Sequence, residues 1–202
     1  MSLGSLVNPA YMASGGGSKL ENYHPPTNFE TFRDGIPLAN AQSFSNEDGL
    51  KSNVINWIAK YLGIDPSNVE WTSGSSMDGG FSTGYVRQAY NGIPFANAVA
   101  NVAFVGDKVT SFGNSFVSID QSKIAPSTPT KTPADAIACA EVRFGGKHNG
   151  TEPVLQYLAR PDGSVSLVYS VQVQKEDTGA FLEVYVDAHS GEVLSMTDFV
   201  AH

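Results

Sequence analysis

Val165-Ser166-Leu167-Val168-Tyr169-Ser170-Val171-Gln172-Val173 decides how this chain folds, because Val165, Leu167, Tyr169, Val171 and Val173 alternate with mostly polar neighbours. A period of two puts one apolar set on one side of a strand. The stretch therefore predicts an antiparallel sheet with one wet face and one face packed on a helix. Further strands are expected at 154–159 before it and at 181–186 and 192–197 after it. The covering helix carries its own start and stop: Thr132 as cap, Pro133 at the first helical position, Asp135 in the first turn, then Ile137, Ala140 and Phe144 before Gly145.

Upstream, Ala125-Pro126-Ser127-Thr128-Pro129-Thr130-Lys131 marks a boundary by its prolines and small residues. Before it the same order of elements is expected once more. Leu50, Val54, Trp57, Ile58, Tyr61 and Leu62 recur at the spacing of one helical face, with Ser45 and Asp48 as candidate caps. Gly63 and then Asp65-Pro66 supply the stop. Burying such side chains stabilises by roughly 1.5 to 3 kcal/mol each before entropy is counted. Strands follow at 69–72, 81–90, 95–105 and 109–117, with turns at Asn91-Gly92-Ile93-Pro94 and Gly106-Asp107. Gly74-Ser75-Ser76-Met77-Asp78-Gly79-Gly80 reads as a hairpin loop, since it lacks the Gly-Lys-Ser/Thr ending of a phosphate cradle.

The fold class expected is α+β: two small modules, 45–124 and 132–199, each a helix lying on an antiparallel sheet and joined by the linker 125–131. Residues 19–44, with Pro25-Pro26, Pro37 and the rings of Tyr23, Phe29, Phe32 and Phe44, suggest an extended arm that docks through its aromatics. Residues 1–18 lack periodicity and are expected to be a flexible lead or a vector remnant, and 200–202 form a short tail.

The 202 residues hold 12 Lys and Arg against 20 Asp and Glu, a net charge of -8 that disfavours a grip on nucleic-acid phosphates. No apolar run reaches the ~18 residues of a membrane helix, and neither nucleic acid nor membrane is an expected partner. A soluble chain is expected, any export signal having been removed or not included. The single Cys139 cannot form an internal disulfide and reads as a structural thiol inside a helix. His24, His148, His189 and His202 show no zinc-ligand spacing, and no Gly-x-Ser-x-Gly elbow is present. No catalytic, cofactor or metal residues are expected in this chain. Glu47 and Asp48 suit a helix start better than acid/base work, and His189 reads as a solvated turn residue. Asn149-Gly150-Thr151 fits the N-glycosylation pattern on a surface turn, making Asn149 a candidate.

Leu20-Glu21-Asn22-Tyr23-His24-Pro25-Pro26-Thr27-Asn28-Phe29-Glu30-Thr31-Phe32 resembles the start of the prosequence of fungalysins, secreted fungal zinc metallopeptidases. Arg87-Gln88-Ala89-Tyr90-Asn91-Gly92-Ile93-Pro94-Phe95 is similar to the Arg-Gln-x-Tyr-Asn-Gly-Ile-Pro-Val signature of the fungalysin/thermolysin propeptide domain, with Phe in the last place. Tyr185-Val186-Asp187-Ala188-His189-Ser190-Gly191-Glu192-Val193-Leu194 resembles the closing hairpin of the PepSY module. The resemblance runs from Leu20 to His202 and stops short of a catalytic domain.

It implies two cystatin-like modules that act as a secreted, extracellular prosegment, inhibitor and folding template. The implied partner is the cognate fungalysin-type metallopeptidase catalytic domain, which would carry the zinc. The tail Asp198, Phe199, Val200, Ala201 and His202 would then run along the substrate cleft, with Phe199 and Val200 in apolar subsites and His202 near the metal; a frayed end or covering strand is the other reading. Arg87 either holds a carboxylate at the module interface or stands solvated. A free-standing secreted binding or inhibitor protein, working through sheet edges, is the alternative function.

Overall fold

Both helices form where their end signals stand. The computed structural model describes residue 20 and residues 22–199, so the expected lead 1–18 and Val200, Ala201 and His202 lie outside the described residues. Helix α1 spans Glu47–Leu62 and ends on Gly63, whose φ of 67° is the left-handed conformation a glycine adopts without steric cost. Its cap is Asn46 rather than Ser45 or Asp48. Asn46 has the extended backbone a cap requires, and its Oδ1 accepts from the Gly49 amide at 2.8 Å, whereas Ser45 shares its hydroxyl with Ser43. Leu50, Val54, Trp57 and Ile58 are buried, while Tyr61 sits at the rim and donates to Glu30. Helix α2, Pro133–Phe144, starts in a reciprocal capping box between Thr132 and Asp135 and ends on Gly145. Its buried residues are Ala136 and Ala140, small enough to bring the helix close to the sheet.

Among the described residues ten strands form one sheet: β1 Asn28–Pro37, β2 Val69–Met77, β3 Phe81–Tyr90, β4 Ile93–Val105, β5 Lys108–Asn114, β6 Lys147–His148, β7 Val154–Ala159, β8 Val165–Gln174, β9 Phe181–Asp187 and β10 Val193–Asp198. The order is β1-β5-β4-β7-β8-β9-β10, with β3 and then β2 on the other side of β4, and β6 against β8. All pairings are antiparallel except β4 with β7. The fold is thus a mixed α/β arrangement dominated by a large antiparallel sheet. One apolar cluster gathers Leu50, Val54, Trp57, Ile58, Val102, Phe104 and Phe112 under α1. A second gathers Phe95, Tyr157, Leu167, Val171, Val173, Val184 and Val186 under α2.

Three expectations are corrected. The arm is extended, yet its residues 28–37 are a true edge strand, paired with β5 from Asn28↔Asn114 to Pro37↔Lys108, with Pro37 at the last place where a missing N–H does no harm. The glycine-rich segment is strand through Met77, and only Asp78-Gly79-Gly80 turns. Gly74 and Gly84 face each other across β2 and β3; a Cβ on the first would collide with the Trp71 ring and on the second with Val54, so these glycines make room for packing. Finally, the face of β8 opposite α2 is not wholly wet. Val168 and Ser170 are buried there, Val168 clustering with Leu158, Leu194, Ala96 and Tyr185.

The two parts of the sheet meet in β4. Arg87 of β3 pairs with Val99, but Ala89 pairs with Pro94, so β4 holds Phe95, Ala96, Asn97 and Ala98 where β3 holds only Gln88. This bulge lets Phe95 pair with Tyr157 of β7. Buried Asn97 then replaces the missing ladder: its Nδ2 donates to the Ala159 carbonyl and its Oδ1 accepts from the Ala159 amide, both at 2.9 Å. The same Nδ2 donates to the Tyr23 carbonyl at 3.0 Å. The Pro-rich segment 125–131 is tied to the second half at both ends, by Ala125 N–H to Val165 and by the Thr130 and Lys131 amides to Ala188.

Replacing Asn97 by Leu keeps the branched shape but removes the hydrogen bonds to the backbone of Ala159 and Tyr23, and each buried group left unpaired costs roughly 1 to 3 kcal/mol. Urea unfolding of Asn97→Leu is expected to show a loss of about 3 kcal/mol or more, and Asn97→Asp, which loses both donors, a comparable loss.

Candidate partner-binding surfaces

The residues expected to dock the arm separate into two kinds. Tyr23 packs against the cluster under α2, and Phe32 meets Trp57 and Tyr61 edge-on at 6.2 and 6.0 Å. These rings are engaged within the chain. Phe29 points the other way: it is exposed, and its ring lies over Gly113.

Of the tail, Asp198 still belongs to β10, opposite Leu182. Phe199 donates its amide to the Phe181 carbonyl at 2.8 Å, and the two rings sit 6.2 Å apart. The ring of Phe199 remains half exposed. Through this residue the tail is an edge of the sheet.

Arg87 meets its carboxylate inside its own half, donating from Nη2 to Glu70 Oε1 at 2.9 Å across β3 and β2. Its Nε is buried and has no hydrogen-bond partner. Toward the second half lies a polar group on β8 and β9. Glu183 accepts from the Ser170 hydroxyl at 2.6 Å and from the Tyr185 hydroxyl at 3.0 Å. Burial raises the Tyr185 phenol well above its ordinary value, and the Glu183 charge and hydrogen bond add to this; Thr197 and Arg87 work against it. Tyr185 also packs in one cluster with Ala96 of the β4 bulge, which brings the two halves together on this side.

The remaining candidates have structural partners. Burial pushes the Cys139 thiol up, outweighing nearby Lys131, so its nucleophilic form is suppressed. Glu47 accepts from the Trp71 indole at 3.1 Å. His189 is not merely solvated, because its Nε2 donates to the Pro126 carbonyl at 3.1 Å and its amide to Asp187. Asn149 is exposed on a turn where Gly150 has a φ of 87°; its Oδ1 accepts from Thr151 N–H and its Nδ2 donates to Gln172. Among the described residues no group of three or more His, Cys, Asp or Glu is placed to hold a metal ion, and no helix is long and apolar enough to cross a membrane. A cleft of about 360 Å³ lies between Phe44, Ser76, Met77, Ser82 and Gly106.

What sequence reasoning missed is the outer side of the first sheet, where strand alternation leaves large apolar side chains uncovered. The strand 81–90 was expected, but which of its side chains face α1 is fixed only by its pairing with β4.

Residues 130–197, from the end of the linker through β10, match the model of the PepSY family, described as peptidase propeptide and YPEB domain. The second half therefore carries a propeptide-like PepSY module. No curated protein matches the chain. Among solved structures it is similar to the Bacillus megaterium YpeB C-terminal domain, at 10% identity and a TM-score of 0.41 over 79% of this chain and 68% of that one. It is also similar to a putative lipoprotein from Clostridium difficile 630, at 14% identity and a TM-score of 0.27 over 79% of this chain and 99% of that one.

A tyrosine whose pKa is raised in the native state binds its proton more tightly there than when unfolded. Its stabilising contribution is present below pH 10 and is lost as pH rises from about 10 upward. Unfolding midpoints measured between pH 8 and 11 are expected to fall at the alkaline end, and Tyr185→Phe is expected to fall less steeply than the unmutated chain.

Proposed function

We propose that this chain is the prosegment of a secreted fungalysin-type zinc metallopeptidase, covering the active-site cleft of the catalytic domain and assisting its folding. The observation that carries the reading is the PepSY match over 130–197, a family described by peptidase propeptides. The Arg87–Phe95 stretch supports it from the first half, where a signature-like run forms the β3–β4 turn and leads into the bulge that joins the sheets.

In this reading the two halves are cystatin-like modules, the chain works outside the cell, and it performs no catalysis of its own. The partner's catalytic domain holds the zinc. A prosegment joined to its enzyme faces the cleft at an effective concentration in the millimolar range, so modest affinity keeps the cleft filled. After cleavage, surface complementarity alone retains it, which calls for a contact of about 1,600 Å². Proteolysis of the prosegment is then the activating event. Asp198 and Phe199 stay on the edge of the sheet, and the residues after them, Val200, Ala201 and His202, are the ones this reading sends into the cleft. The half-exposed Phe199, supported on one side by Phe181, is placed to offer its free side to an apolar subsite.

Titrating the purified chain into a fungalysin catalytic domain prepared without its own prosegment is expected to abolish peptidase activity, with the two co-eluting on gel filtration. Deleting 198–202 is expected to raise the inhibition constant at least 10-fold. Full activity at saturating chain, or turnover of a substrate by the chain alone, overturns the reading.

A further inference from the structure

We infer that the outer face of the first half's sheet, presenting Phe29, Met77, Phe81, Tyr85, Val99 and Val105, is the surface on which the peptidase catalytic domain docks; this rests on the prosegment reading above. The six side chains share one side by register. Met77 pairs with Phe81 and Phe81 with Val105, while Arg87 pairs with Val99 and Tyr85 with Asn101. Asn101 pairs with Gly113 and Gly113 with Phe29. The alternate positions, Val86, Ala100, Val102, Phe104 and Phe112, are the ones buried under α1. The outer six are between 41% and 63% exposed, a large apolar set on a chain whose other half buries both sides around Val168. Such grouping of aromatic, Met and aliphatic side chains marks the core of an interface rather than an ordinary surface.

The ground between them carries no charge. Thr31, Thr83, Ala103 and Ser111 share the face by the same pairings, and Ser75 and Thr83 bond each other. Charge appears at the ends: Arg87 tied to Glu70 at one, and Lys108 and the exposed Arg33 of β1 with the exposed turn residues Asp78 and Asp107 at the other. The complement is an uncharged, apolar patch with basic side chains opposite the Asp78 and Asp107 turns.

Charge and area both select a different protein over a second copy. Two chains of net charge -8 repel. Five strands about 4.8 Å apart and seven residues at about 3.3 Å give a plane of roughly 400 Å². Two copies meeting there alone bury about 800 Å² together, below the roughly 1,200 to 2,000 Å² of a stable pair. A catalytic domain that also takes the tail supplies the rest. The geometry allows it, because Phe181, Glu183 and Tyr185 share one face of β9, the Phe181 ring meets Phe199, and Tyr185 packs in one cluster with Ala96 of the β4 bulge. The surface thus runs from Phe81 across the junction to the start of the tail.

The test is the affinity of the full chain for the fungalysin catalytic domain, measured by calorimetry, with Tyr85→Asp/Val99→Asp on the face and Val142→Asp on the exposed side of α2 as control. The face variant is expected to bind at least 100-fold more weakly and the control within 2-fold, both melting within about 3 °C of the unmutated chain. Phe29→Ser, at the sheet edge, repeats the test with a smaller change and is expected to weaken binding about 5-fold. Tight binding by the unmutated chain and equally tight binding by the face variants overturns the docking face while leaving the prosegment reading intact. No binding by the unmutated chain overturns the prosegment reading and the face with it. A dimer of the chain alone, by sedimentation, that the face variant dissolves assigns the face to a second copy and also overturns the proposal.

Discussion

A strand that changes partners midway has backbone groups that neither neighbour can satisfy, and the fold turns on how β4 meets that constraint. Buried N–H and C=O groups have to be paired, since an orphan costs roughly 1 to 3 kcal/mol against about 1 kcal/mol gained by a typical hydrogen bond. At the bulge 95–98, β4 has left β3 and makes a single pairing with β7, Phe95 with Tyr157. The Asn97 amide presents one donor and one acceptor in the geometry of a peptide group and closes on both backbone atoms of Ala159. Gln88, the residue left opposite the bulge, does the same for Val117, accepting its N–H and donating to its carbonyl at 2.8 Å each. Asn53 on α1 clamps Gln42 in the same manner, at 2.8 and 3.0 Å. All three amides are buried. Three side-chain amides thus complete the backbone pairing at the three places where irregular chain must run against the core.

The junction explains why the arm and linker are ordered although neither has a core of its own. The Tyr23 carbonyl accepts the second Asn97 donor while the Tyr23 ring packs under α2. A few residues on, Phe32 inserts beside Trp57 under α1. The arm therefore fastens both clusters. The linker is held to the second half by amides at each end and by the Tyr157 and Tyr169 hydroxyls, which donate to Ala125 and Lys131.

The local signals in the residues were legible where one short stretch sets one local geometry. The Thr132-Pro133-Asp135 start, both glycine stops, and the period of two through β8 each rest on contacts within a few positions. The cap of α1 was misplaced by one residue because Ser45 and Asn46 are both good caps and backbone conformation chooses between them. Strand β1 was read as a bare arm because its pairing partner lies some eighty residues away and its prolines stand at and before its ends. The fusion of the sheets was illegible for a related reason: Asn97 and Gln88 look like any polar strand residues until the bulge makes their amides stand in for backbone. At the candidate surfaces, Tyr23, Phe29 and Phe32 were singled out together as rings. The register of β1 separates Phe29, which turns out, from Phe32, which turns in, while Tyr23, before the strand, is drawn inward at the junction by Asn97.

Fusion of the sheets has a functional consequence for any lid built this way. If the halves moved independently, a partner touching both would bear a separate ordering cost at each contact. With β4 common to both, the outer face of the first half and the tail edge of the second are held at a fixed spacing, so the second contact forms at the effective concentration the first one sets. The Arg87–Glu70 bond lies within the first half and the Tyr185–Glu183 bond within the second, so each orders its own side of the junction, and the price in stability is visible in the unpaired Arg87 Nε and the desolvated Tyr185 phenol. On the prosegment reading, the shared strand is what lets two modest surfaces act as one.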